Sequence, residues 1–187
     1  MEITEILKKW DTDKEYYHHY GVVYDELFKR FNRKDKLNIL EVGTQKGGSL
    51  LAWKEYFPNA DVYGVDIVDV VPEEYRKDTV TRVIADIKDV NFDMDFDIII
   101  DDGSHYLGDI VYVVSQYIVK LRKGGMIIVE DVRDPNLLYK VIANLLDDLK
   151  IAYPNLKGKQ TFKGQHFDCS SPENPGSFII AITNENN

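Results

Sequence analysis

Phe96-Asp97-Ile98-Ile99-Ile100-Asp101-Asp102-Gly103-Ser104-His105 is the stretch that decides how this chain folds. Three consecutive β-branched residues, too short a run for a helix and followed directly by acids and glycine, read as a strand that stops abruptly. Further on, Gly125-Met126-Ile127-Ile128-Val129-Glu130-Asp131 repeats the plan. Strands this apolar are buried on both faces, as in a parallel sheet covered by helices. Both deliver acids to the carboxyl edge, where open α/β sheets bind ligands.

The same alternation extends outward. Residues 37–42 read as a first strand, 61–66 as a second, 79–85 as a third ending at Asp86, and 178–182 as a late one. Between them, 22–31 carries Val23, Leu27 and Phe31 at spacing four with Phe28 beside them. Residues 49–56 form a helix stopped by Pro58, and 108–121 carry Ile110, Val111, Val114, Ile118 and Leu121. Helical patterns also cover 3–10 and 136–149, while 11–20 reads as irregular. The fold class is therefore α/β: a doubly wound, mostly parallel sheet with helices on both faces. At 187 residues the expectation is one domain, 1–187, with 1–33 as an N-terminal helical or lid segment.

Composition narrows the function. The formal charge is −9, from 23 basic and 32 acidic residues, which argues against nucleic acid as a partner. The single cysteine, Cys169, leaves no internal disulfide. No signal peptide and no apolar membrane span is evident, so the cytoplasm is the default and no membrane partner is expected. A homo-oligomer is compatible with the sequence.

The turn after the first strand, Glu41-Val42-Gly43-Thr44-Gln45-Lys46-Gly47-Gly48, lets a ligand approach the backbone closely. It is neither the GxGxxG of dinucleotide folds nor a P-loop. Asp66, at the end of the second strand, suits two ribose hydroxyls, and Asp86 is placed to meet an adenine edge. A nucleoside without a diphosphate suits S-adenosylmethionine.

Glu41-Val42-Gly43 with Gly47-Gly48, Asp66 and Asp86 resembles the class I S-adenosylmethionine-dependent methyltransferases and their Rossmann-like sheet. Thr12-Asp13-Lys14, His18-His19-Tyr20, Gly48-Ser49-Leu50 with Trp53, Phe57-Pro58-Asn59-Ala60, the DDGSH run and Gly124-Gly125 through Glu130-Asp131 narrow the resemblance. They are similar to the metal-dependent sugar O-methyltransferases of macrolide biosynthesis (mycinamicin and macrocin type) and their rhamnosyl relatives. The resemblance implies that Asp102, Glu130 and Asp131 bind magnesium, that His105 is the base and that Asp101 faces the cofactor. Members of that type carry an additional N-terminal domain that is not seen here.

The residues support this chemistry in their own right. Three carboxylates form a hard-cation site suited to Mg²⁺. An imidazole beside them suits proton removal from an alcohol. The cofactor-binding set is Thr12, Lys14, Glu41, Gly43, Thr44, Gly47, Asp66, Asp86 and Asp101, with Thr12 or Lys14 near the cofactor's carboxylate. Trp53 reads as core, and His166 as an ordinary loop histidine. The expected function is O-methylation of a sugar or sugar-containing metabolite with S-adenosylmethionine and Mg²⁺. The alternatives are methylation of phenolic diols and a non-catalytic nucleoside-binding partner subunit. A nucleotide-sugar oxidoreductase is disfavoured by the absent GxGxxG.

Overall fold

The computed structural model describes residues 1–152, 161–171, 174 and 177–185. Its centre is a seven-stranded sheet made of β1 (Asn38–Val42), β2 (Asp61–Asp66), β3 (Thr81–Ile84), β4 (Phe96–Asp101), β5 (Leu121–Val129), β6 (Phe162–Asp168) and β7 (Phe178–Asn184), in the order β3-β2-β1-β4-β5-β7-β6. Pairing is parallel from β3 to β5 and antiparallel for β5–β7 and β7–β6. The strand order reverses between β1 and β4. A crevice opens there beyond the carboxyl ends, and such a switch point is where this architecture takes ligands.

Helices cover both faces. On one, α1 (Ile3–Lys9), α3 (Gly21–Phe28) and α4 (Gly48–Tyr56) bury Ile3, Ile6, Leu7, Tyr24, Phe28 and Trp53 against Ile39, Ile98, Ile100 and Ile128. A short α2 (Asp13–Tyr16) links α1 to α3. On the other face, α5 (Leu107–Tyr117) and α6 (Pro135–Ala152) set Ile110, Val113, Val114, Leu138 and Ile142 against Leu40, Ile99, Ile127 and Val129. Successive strand residues alternate between these two cores, as a pleated strand requires.

Several expectations shift at their edges. Residues 11–20 are not wholly irregular: Thr12 Oγ1 accepts a hydrogen bond from Lys14 N and caps α2. The helix expected to 121 ends at Tyr117, because a 3₁₀ turn over Ile118–Lys120 leads directly into β5. β5 begins at Leu121, earlier than the apolar run suggests, since its first residues include exposed Arg122 and Lys123. His166 lies in β6, an edge strand, and not in a loop. Trp53 is fully buried, as expected. No helix among the described residues is long and apolar enough to cross a membrane.

Candidate active site

Register brings the acids together. Val42, Asp101 and Val129 are aligned across β1, β4 and β5. Gly43, Asp102 and Glu130 lie one step beyond, held by Gly43 N to Val65 O, Asp102 N to Val42 O and Glu130 N to Asp101 O at 2.9–3.0 Å. Gly43 has φ +80°, and a Cβ built on it would lie 2.0 Å from the Asp102 carbonyl oxygen. Glycine is therefore required for the turn to pass over β4.

The pleat then sorts the side chains. Ile39, Ile98, Ile100, Met126 and Ile128 face the α1–α4 core. Counting by twos sends Glu41, Asp102 and Glu130 to that same face. There they meet Lys14, whose Nζ lies 2.6 Å from Asp102 Oδ2, 2.9 Å from Glu130 Oε2 and 3.1 Å from Glu41 Oε1. Lys14 is 1% exposed. Burial alone would lower its pKa, but Asp102, Glu130 and Glu41 overcome this and hold it well above the usual lysine value. Burial raises the pKa of all three acids, against the pull of Lys14. Tyr24 donates a very short hydrogen bond to Glu130 Oε1. Ser49 Oγ and Trp53 Nε1 donate to Glu41 Oε2 at 2.8 and 3.0 Å.

Asp131 departs from this pattern. Its φ of +51° takes it out of the strand. Its Oδ1 accepts from Tyr20 Oη at 2.5 Å and from Ser177 Oγ at 3.3 Å, with His18 Nδ1 at 3.2 Å. Its Oδ2 faces His105 Nε2 at 3.8 Å. His105 is also left-handed, with φ +59°. Ser104 steadies its loop by donating to Asp109 at 2.6 Å and accepting from Tyr106 N at 3.3 Å. Ligand atoms of Asp102, His105 and Asp131 all lie within 4.8 Å of one another.

One cavity of about 460 Å³ joins these groups to the glycine turn. Thr12, Lys14, Gly43, Thr44, Gly47, Asp66, Asp86, Asp101, Asp102, His105 and Asp131 all line it, so the structure brings together most of the residues singled out above. Glu41 and Glu130 do not line it. Glu41 is fully buried behind the turn, and Glu130, 1% exposed, is directed at Lys14 and Tyr24. Lys14 reaches the cavity wall, yet its ammonium is committed to the acids. Asp66 Oδ2 accepts from Thr44 N and Gln45 N at 2.8 and 2.7 Å, and Oδ1 from Val68 N at 3.1 Å. Of a carboxylate's roughly four acceptor sites this leaves one, on Oδ1, so Asp66 has room for one ligand hydroxyl and not two. Asp86 caps a short turn through Lys88 N at 2.9 Å. Asp101 is turned to the α5 side of the sheet. Its Oδ2 is buried without a hydrogen-bond partner, and burial pushes its carboxyl up to about 7.

Sequence reasoning missed Lys14 as a counterion and the anchoring by Tyr20, Tyr24, His18 and Ser177. Strand parity was the available signal for the shared face of Glu41, Asp102 and Glu130. Nothing local marks the lysine that answers them.

The donor set fits a divalent cation. Asp102 and Asp131 offer hard oxygens and His105 a nitrogen, and the adjoining cluster holds three carboxylates against one ammonium, a shortage of positive charge. A nucleoside with a cationic amino-acid head fits the rest. The cavity has the volume of a small-molecule site, with acids at the ends of β2 and β3 and Asp101 in its lining.

No family model matches the chain. Two curated relatives bear out the resemblance read from the motifs. The 8-demethyl-8-alpha-L-rhamnosyl tetracenomycin-C 2'-O-methyltransferase of Streptomyces olivaceus is 35% identical over 136 residues, covering 65% of this chain and 35% of its own length. The mycinamicin VI 2''-O-methyltransferase of Micromonospora griseorubida is 30% identical over 146 residues, covering 70% of this chain and 36% of its own. The chain thus spans about a third of the length of these relatives. Among solved structures, the MycE methyltransferase of the mycinamycin pathway, in complex with Mg and SAH, superposes over all of this chain and 55% of its own, with a TM-score of 0.73 at 23% identity. The fold is the Rossmann-like fold of the methyltransferases.

Proposed function

We propose that the chain transfers a methyl group from S-adenosylmethionine to a hydroxyl of a sugar or glycosylated small molecule, with Mg²⁺ as the second cofactor. The observation that carries this reading is the single cavity, walled at one end by the glycine turn, Asp66 and Asp86 and at the other by Asp102, His105 and Asp131. The relatives' names supply the sugar as the class of acceptor.

The glycine turn, Asp66 and Asp86 would hold the nucleoside, with Asp66 Oδ1 free to accept one ribose hydroxyl. Asp101, an acid of the cavity lining, would answer the ammonium of the cofactor's amino-acid head, the charge that a buried carboxylate favours. Asp102 and Asp131 would hold Mg²⁺, while Glu130 is tied to Lys14 and Tyr24. The bound metal supplies Lewis-acid polarisation and a template for neighbouring acceptor oxygens. His105 takes the hydroxyl proton. Because Nε2 is turned to Asp131, Nδ1 is the nitrogen left to receive it. The acceptor oxygen bonds to the methyl carbon as the carbon–sulfur bond breaks, and S-adenosylhomocysteine leaves. Enclosing both partners in one cavity replaces a bimolecular encounter with an oriented one.

Calorimetry with S-adenosylhomocysteine tests the cofactor half: binding is expected, and no heat at millimolar ligand refutes it. His105→Ala tests the base. It should bind S-adenosylhomocysteine as the wild type does, yet fail to transfer label from S-adenosylmethionine to a panel of simple glycosides. Wild-type turnover in that variant removes His105 from the role.

A further inference from the structure

Asp131 is the one acid of the site that its strand does not fix. It lies two residues past Val129, the last residue of β5, with a left-handed φ of +51°, beyond the backbone hydrogen bonds that hold Asp102 and Glu130 at the sheet edge. Left to itself, its carboxylate would sweep over several rotamers. It is instead gripped through one oxygen. Tyr20 Oη lies 2.5 Å from Oδ1 and 2.6 Å from Ser177 Oγ, and Ser177 Oγ lies 3.3 Å from Oδ1, closing a triangle of oxygens. The other oxygen, Oδ2, is thereby turned to the side of His105.

Tyr20 is built as a fixed post. It is fully buried, its ring stacks on His18 at 4.9 Å between centroids, and its backbone N–H donates to Lys14 O at 2.7 Å. The second post comes from the opposite end of the chain. Ser177 directly precedes β7, and the Val132 N–H donates to Phe178 O at 3.0 Å, pinning the backbone just past Asp131 to the same strand.

We infer that Tyr20 is a positioning residue: with Ser177 it ties up Asp131 Oδ1 so that Oδ2 is presented to the cation shared with Asp102. The inference rests on the reading of Asp102 and Asp131 as metal ligands. A hydrogen bond to the second oxygen of a ligating carboxylate fixes its direction, and loss of such outer partners weakens metal binding about 10- to 100-fold. Tyr20→Phe keeps the ring and its packing and removes only the donor.

The test titrates Mn²⁺ alone, without cofactor, into the full chain and follows the free-ion signal by electron paramagnetic resonance, far below the unfolding transition. Stability loss by itself does not move an affinity measured on folded protein. Tyr20→Phe is expected to weaken Mn²⁺ binding about tenfold. Tyr117→Phe, whose hydroxyl bonds Val90 O at 3.4 Å away from the site, is expected to leave it unchanged. Should Tyr20→Phe not fold, Ser177→Ala removes the other donor and should weaken binding several-fold. A wild type that binds Mn²⁺ and a Tyr20→Phe variant within twofold of it overturn the positioning role alone. A wild type that takes up no Mn²⁺ overturns the metal reading and this inference with it.

Discussion

Replacing Lys14 with methionine is the sharpest probe of the carboxylate cluster. The side chain is unbranched and similar in length, so the substitution removes charge with little change in packing. In the native chain the ammonium has carboxylate oxygens at 2.6, 2.9 and 3.1 Å. At an effective dielectric of about 20, each contact is worth about 5–6 kcal/mol of gross attraction. Against this stands a desolvation cost of several kcal/mol for each ion. The balance explains why Lys14 stays charged despite complete burial. Without it, Glu41, Asp102 and Glu130 face one another with no cation, and breaking a buried pair in this way costs about 3–5 kcal/mol. For a domain of this size that lowers Tm by about 6–20 °C. The loss has a direction in pH. The acids' pKa values are already raised in the folded state, and removal of Lys14 raises them further. Acids with raised folded pKa values destabilise increasingly as pH climbs from their unfolded to their folded pKa values, and the penalty then levels off. The penalty should therefore be large at pH 8 and shrink towards pH 5, where the acids take up protons. Thermal and urea unfolding of wild type and variant at both pH values measure it. Lys88→Met, which breaks the exposed pair of Lys88 with Asp109, serves as the control and should leave Tm unmoved. A loss under about 1 kcal/mol, or one equal at the two pH values, refutes the claim that Lys14 neutralises the cluster.

Two further outcomes follow from the same edge of the sheet. Asp101 has a carboxyl pushed up to about 7 from 3.8, so folding penalises its ionised form. Asp101→Asn should raise the stability of the ligand-free chain by up to about 4 kcal/mol at pH 8, with the gain gone below about pH 4, as urea unfolding across that range will show. Gly43→Ala forces a methyl into the Asp102 carbonyl oxygen at a left-handed φ. It should cost more than about 2 kcal/mol by the same assay, and a neutral result would mean that the turn does not pass over β4 as described.

The fold was legible because the parallel half of the sheet announces itself. Ile98-Ile99-Ile100 and Met126-Ile127-Ile128-Val129 are buried on both faces, and only a strand between two helical layers needs such a run. β6 was not legible for the opposite reason. It is an edge strand whose residues are mostly exposed, so Phe162-Lys163-Gly164-Gln165-His166-Phe167-Asp168 has no continuous apolar face to report. Its existence depends on pairing with β7, a tertiary event that local pattern does not encode. The N-terminal boundary of β5 failed similarly, since Arg122 and Lys123 are exposed and carry no apolar signal.

The site was legible up to the choice of which acid faces what. Sequence alone puts Asp101, Asp102, Glu130 and Asp131 at one edge, and only register and pleat divide them. Asp102 continues the face of Ile98 and Ile100, and Glu130 that of Met126 and Ile128, so both are drawn towards the core that α1 and α3 cover. Asp101 takes the opposite face with Ile99. Asp131 obeys neither count, because its left-handed backbone ends the period. The first twenty-four residues then change the meaning of the run. Lys14, Tyr20 and Tyr24 arrive from a segment with no strand period of its own, and each is spent on an acid of the sheet edge. An N-terminal segment that merely closed over a ligand would leave these acids paired whether or not it was present. Here Lys14 is the sole cation contacting Glu41, Asp102 and Glu130 among the described residues, so the edge cannot hold its charge without that segment. The helical N-terminus is accordingly part of the acidic edge, and its docking and the ionisation of the acids are one equilibrium.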